Sequence, residues 1–166
     1  MATDNRTPSN KEKFLEDTRR HISDVQARGE TFISILADEL SRHDESKLDD
    51  FEADIFAEHY DSLFLYEYGT PEYKENMKKL KPAIKHHHTL NPHHPEHYSD
   101  GVNGMDLIQL VAMYLDWSSA CTRTSGGSLL NSIEVGKTKY AMSDQLVDIF
   151  TRTMERYGRF NPEVVE

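Results

Sequence analysis

Six of the nine histidines fall within thirteen residues, HHHTLNPHHPEHY at positions 86–98. Imidazole is the side chain that most readily offers a neutral nitrogen lone pair near neutral pH, so this density points first to metal ligation or proton transfer. Two further histidines stand out for their phase. His21 and His43 each continue an apolar stripe at helical spacing, and Asp44 follows His43 directly, so a nitrogen and an oxygen ligand emerge together. Asp116 lies in LIQLVAMYLDW, a segment whose apolar residues surround the helix axis. A carboxylate there loses hydration and needs an ion-pair partner, a hydrogen bond or a metal. Two imidazoles and two carboxylates, His21, His43, Asp44 and Asp116, suit a divalent transition metal with positions left open for water or substrate. Asp106 begins the same helix, where the helix dipole already accounts for an acidic residue.

These residues must be held by helices. Phe14, Leu15, Thr18, His21, Ile22 and Val25 predict a first helix from about Asn10, ended by Gly29. Phe32, Ile33, Leu36, Leu40 and His43 predict a second, closed near RHDESK. A third is expected over 48–64, and Thr70-Pro71 is a good start for a fourth that runs into the histidines, with Pro82 kinking or restarting it. Asn91-Pro92, Pro95 and residues 100–104 mark a loop. The helix over 104–123 is the most apolar, and two more follow near 127–139 and 143–157 after a Ser125-Gly126-Gly127 break, the last capped by Ser143. No repeat and no convincing strand is visible. The expected class is all-α: a loose polar leader over 1–9 and a single-domain helical bundle over 10–166.

Composition narrows the function. At 166 residues with 29% charged and 37% hydrophobic residues, the chain suits one globular domain, and its longest apolar run is too short for a membrane span. The opening MATDNRTPSNKEKF has no apolar signal-peptide core, so a cytoplasmic protein is expected. One cysteine, Cys121, excludes an intrachain disulfide and a multi-thiolate zinc cage, so any metal is held by nitrogen and oxygen. A formal net charge of −10 disfavours duplex nucleic acid as a partner. The locally basic segment is YKENMKKLKPAIK, with five lysines that form a solvated helix face or guide small anions toward the histidines.

The order His21, His43-Asp44 and a distant Asp116 resembles the H…HD…D signature of the HD-domain superfamily, helical metal-dependent phosphohydrolases. HDESK also resembles the HD-x-x-K form of the HD-GYP phosphodiesterases and of the diiron oxygenase branch, in which the lysine contacts substrate; Lys47 occupies that position. In those branches, histidines between the HD pair and the last aspartate bind a second metal, and the histidine block lies in that interval. No GYP tripeptide follows it, so a cyclic dinucleotide is not implied. Across nearly the whole chain, HHHTLNPHHPEHY followed by GMDLIQLVAMYLDW resembles an uncharacterised family of small bacterial and phage proteins, a domain of unknown function that carries no assigned activity.

The resemblance implies a fold of HD-domain type and one or two ions of manganese, zinc, cobalt or iron. Consecutive residues of a helix point about 100° apart, so His86, His87 and His88 cannot all face one ion. His93 and His94 precede Pro95, which can hold imidazoles rigidly over a pocket. The expected block ligands are His87 and His94, with His86 and His93 next and Glu96 as an orienting residue or proton carrier. The alternative is a polar loop of exposed histidines. The function expected is hydrolysis of a nucleotide or other small phosphorylated metabolite, with Asp44 and Lys47 in catalytic roles. The alternatives are a diiron oxygenase and a non-catalytic phage factor that binds a nucleotide or a host protein in the host cytoplasm. A homodimer is compatible with all three.

Overall fold

The structure is a computed structural model, and it describes residues 8–63, 65–66, 70–123 and 127–158. Most of the expected leader, and the Ser125-Gly126 part of the expected break, lie outside the described residues. The described chain is helical and contains no strand. It divides into two compact units, Met1–Ser41 and Arg42–Glu166.

The first unit is built on one helix, α1 (Asn10–Ser41). Ser9 and Glu12 open it as a reciprocal cap: the Glu12 amide donates to Ser9 Oγ at 3.3 Å and the Ser9 amide donates to Glu12 Oε2 at 2.6 Å. Two helices meeting at Gly29 were expected, and a single helix runs through it instead. A lone glycine costs a helix only about 0.5–1 kcal/mol, and neither proline nor a turn residue accompanies this one. A single helix has no interior of its own, and α1 contains no buried residue.

Among its described residues the second unit carries five α-helices: α2 (Asp50–Glu58), α3 (Pro71–Leu90), α4 (Leu107–Cys121), α5 (Leu129–Lys139) and α6 (Asp144–Gly158). Short 3-10 turns at Glu45–Leu48, Tyr60–Leu63, Pro95–His97 and Gly101–Gly104 join them. Thr70 caps α3 by accepting from the Tyr73 amide, and Pro71 takes its first position. The helix continues through Pro82, where a kink or restart was expected. The proline forfeits a hydrogen bond there, but Leu80 and Ala83 on either side are fully buried and hold the segment in place. Asp106, Ser128 and Ser143 cap the last three helices through the amides of Gln109, Asn131 and Leu146.

The apolar core lies among α4, α5 and α6. Met113, Tyr114, Leu129, Ile133, Met142 and Phe150 fill it, and Tyr114 meets Phe150 edge to face at 5.5 Å. The Trp117 indole edge packs against Gly136, where an added Cβ would overlap the ring, so glycine sets how closely α5 approaches α4. Gly104 plays the same part at the entry to α4: a Cβ there would stand 2.8 Å from Tyr98 Cβ, which pins the histidine loop against the start of the helix. No helix among the described residues is long and apolar enough to cross a membrane.

Candidate metal centre

Three segments of the second unit converge. The first is the turn His43–Lys47, in which Asp44 adopts the left-handed conformation (φ 58°) that aspartate tolerates better than most residues. The second is the C-terminal turn of α3, whose buried residues Asn76, Leu80, Ala83 and His87 follow one helical stripe. His87 is therefore the member of the histidine triplet that faces inward. The third is the loop Asn91–Tyr98, where Pro92 and Pro95 bracket His93 and His94.

At the meeting point His87 Nε2 lies 2.9 Å from His94 Nε2 and 3.1 Å from Asp44 Oδ1, and His93 Nε2 lies 3.4 Å from the same oxygen. His87 and His93 are only 5% and 3% exposed. Asp44 Oδ1 and His93 Nε2 are buried at ion-pair distance, yet neither has a hydrogen-bond partner. Buried polar atoms left in that state are rare and point to a missing ligand. Ligands about 2.1 Å from a tetrahedral ion stand about 3.4 Å apart; three of the six edges among Asp44, His87, His93 and His94 measure 2.9–3.4 Å and all lie within 4.8 Å, a spacing that one divalent ion can draw together.

Glu52, which the sequence reading passed over, supports this group from behind. It is fully buried, with Oε2 3.1 Å from His87 Nδ1 and Oε1 2.8 Å from His86 Nδ1. His87 thus lies between two carboxylates, with Nδ1 3.1 Å from Glu52 Oε2 and Nε2 3.1 Å from Asp44 Oδ1; with an ion at the centre the proton stays on Nδ1, toward Glu52, and Nε2 offers the lone pair. His86 turns away from the centre onto Glu52 and the Phe51 ring. Ser46 and Asn91 complete the setting: Asn91 Nδ2 donates to Ser46 Oγ at 2.7 Å and to the His87 carbonyl at 2.8 Å. The available signal for Glu52 was its phase, since it shares a face of α2 with Ile55 and Phe56.

A second group adjoins the first. His43 Nε2 stands 3.5 Å from Asp116 Oδ1 and 3.6 Å from Asp44 Oδ2, and His43, His93 and Asp116 form a three-ligand set. Asp116 is 26% exposed rather than enclosed, because α4 points Trp117 into the core and carries Asp116 round to the His43 side. A neutral imidazole has one lone pair, so His93 ligates in one group at a time. When it serves His43 and Asp116, the first group keeps Asp44, His87 and His94 with a position open, the arrangement of catalytic rather than structural sites. Lys47 donates to Asp44 Oδ2 at the rim.

A third set, His88, His94 and Glu96, lies farther out. Glu96 Oε1 accepts from Lys139 Nζ at 2.9 Å and from Tyr140 Oη at 3.1 Å, which ties the histidine loop to the end of α5. His21 is exposed on α1 in the first unit and belongs to none of the three sets found among the described residues.

Electrostatics favours ligation at Asp44 and His94 and opposes it at His43. Burial alone would raise the Asp44 carboxyl, but protons carried on the His87 and His93 rings in the metal-free centre, together with the Lys47 ammonium on the other oxygen, outweigh it and hold Asp44 well below the ordinary carboxylate range. Burial, reinforced by the neighbouring histidines, lowers His94 to about 2, so its ring stays neutral. Burial likewise lowers His88. Contact with Asp116 raises His43 against the effect of its own burial.

No curated protein and no solved structure matches the chain. One family model does, over residues 10–156, and that span takes in every residue of the three sets. The chain belongs to this family of unknown function, DUF5662.

Proposed function

We propose that the protein is a metal-dependent phosphohydrolase acting on a nucleotide or another small phosphorylated metabolite. The observation that carries this reading is the orphaned, buried Asp44 Oδ1 facing the Nε2 atoms of His87 and His93. A divalent ion held by Asp44, His87 and His94 or His93 would lower the pKa of a bound water and polarise a phosphoryl oxygen. Asp44 supplies Oδ1 to the first set and turns Oδ2 toward His43 and Lys47. Lys47, 39% exposed, places a cation at the rim where a phosphate oxygen can approach. Glu52 fixes the His87 ring and its tautomer. The resemblance to the HD-domain type supports the assignment through His43, Asp44, Lys47 and Asp116, which lie together in one unit; His21 would be the odd member of that signature.

The test compares metal content and phosphoesterase activity of the wild type with Asp44→Asn. Asparagine tolerates the left-handed backbone at this position, so the variant keeps its fold. Bound manganese, zinc or cobalt at about one or two ions per chain, lost with activity in Asp44→Asn while helical content persists, is the expected result. Iron with oxygen consumption selects the oxygenase chemistry, and tight nucleotide binding without turnover selects a binding protein. Equal metal retention in Asp44→Asn would refute the centre.

A further inference from the structure

We infer that His88, Glu96 and His94 form a loading station through which a divalent metal ion reaches the buried centre. The inference rests on the metal-centre reading above and adds a route to it. Exposure falls along a chain of potential ligands: the Glu96 and His88 side chains are 30% and 24% exposed, whereas His87 and His93 are 5% and 3% exposed. The ligand atoms of the outer three lie within 4.8 Å of one another, and His94 belongs both to this set and to the inner one. A neutral imidazole has one lone pair, so His94 cannot hold an ion in each set at once. The two sets are therefore successive positions for one ion, and His94 hands it inward.

The partners of Glu96 give the transfer its direction. Lys139 Nζ and Tyr140 Oη already occupy Glu96 Oε1, so an arriving cation shares its one carboxylate ligand with an ammonium whose charge opposes it. The inner set has four ligands, an Asp44 oxygen free of hydrogen bonds, and the fully buried Glu52 behind His87. The ion is held weakly outside and firmly inside. The opposite end of the centre, at His43 and Asp116, is also partly open, at 27% and 26% exposure, and offers the competing route.

The experiment follows zinc uptake by the metal-free full-length protein in stopped flow, against a chromophoric chelator, with equilibrium stoichiometry measured on the same samples. Three proteins are compared: the wild type, the double variant His88→Ala/Glu96→Gln, and Lys139→Met. In the double variant uptake slows about tenfold, within the range that local charge contributes to association rates, while final stoichiometry is unchanged. Lys139→Met takes up zinc faster than the wild type, because the opposing ammonium is gone. Uptake by the double variant at the wild-type rate overturns the loading station and assigns entry to the His43–Asp116 end. A wild type that binds no zinc at equilibrium overturns the metal centre itself, so the two failures are told apart.

Discussion

Glu52→Gln is the sharpest probe of how the centre is built, because it changes one charge and almost no volume. In the native protein both Glu52 oxygens are used, one by His86 Nδ1 at 2.8 Å and one by His87 Nδ1 at 3.1 Å. Glutamine offers one oxygen and one NH2, so only one imidazole can keep donating to it. If the oxygen stays with His87, the ring keeps its tautomer but loses the carboxylate that raises the basicity of Nε2. If the amide turns over, His87 must present N–H rather than a lone pair to Asp44 and His94, and ligation by that ring is lost. Partners of metal-bound histidines change affinity by 10- to 100-fold when substituted, which is about 1.4–2.7 kcal/mol of binding. The metal-free protein should lose stability only if the amide turns over. His86 is 38% exposed, so water can replace its partner, and only the His87 side carries the cost of a buried unmatched polar group, about 1–3 kcal/mol. The assay is zinc affinity by chelator competition, with thermal melting of metal-free and zinc-loaded protein alongside. Affinity within about twofold of wild type, well short of the 10-fold expected, would refute the role given to Glu52 and the tautomer assigned to His87.

Two further substitutions test the scaffold. Gly136→Ala puts a Cβ into overlap with the Trp117 ring and 3.3 Å from Met142 Sδ, so the contact between α4 and α5 is overpacked. The expected cost is about 1–3 kcal/mol, read as a melting temperature lower by about 3–10 °C; an unchanged melting curve would show that the indole yields freely. Gly29→Ala adds a Cβ with nothing within 4 Å of it, inside an uninterrupted helix. Helix stability should rise by about 0.5–1 kcal/mol, seen as up to about fivefold slower amide exchange around residue 29. Faster exchange there would mean that the glycine conformation is required.

Local pattern carried the helical class and several of the polar anchors. Asp116 stood out as a carboxylate on an apolar helix, and it does meet a partner in His43. Phase also separates the histidine triplet, because His87 is in register with Asn76, Leu80 and Ala83 whereas His86 and His88 are not. Glu52 carries the same signal in α2 but lies 34 positions before His86, outside the histidine-rich segment. Gly29 marks the opposite case: glycine ends a helix where the backbone turns left-handed, and with no turn residue beside it α1 runs straight through.

What local pattern could not supply is which anchors face one another. Asp44 and His87 are 43 positions apart in the sequence, and no spacing rule brings the turn at Asp44 to the last turn of α3. The packing of α2 on α3 does so by burying Glu52 against His86 and His87, and that contact places the ring of His87 over Asp44. Phase identifies a buried polar residue, and burial demands a partner, but the choice of partner is tertiary. His21 illustrates the limit, since its place on the apolar stripe of α1 says that the stripe must be covered without saying by what. The residues that decide the chemistry are thus the ones for which an apolar-face position and a long-range neighbour coincide, and Glu52 meets both conditions as fully as any ligand.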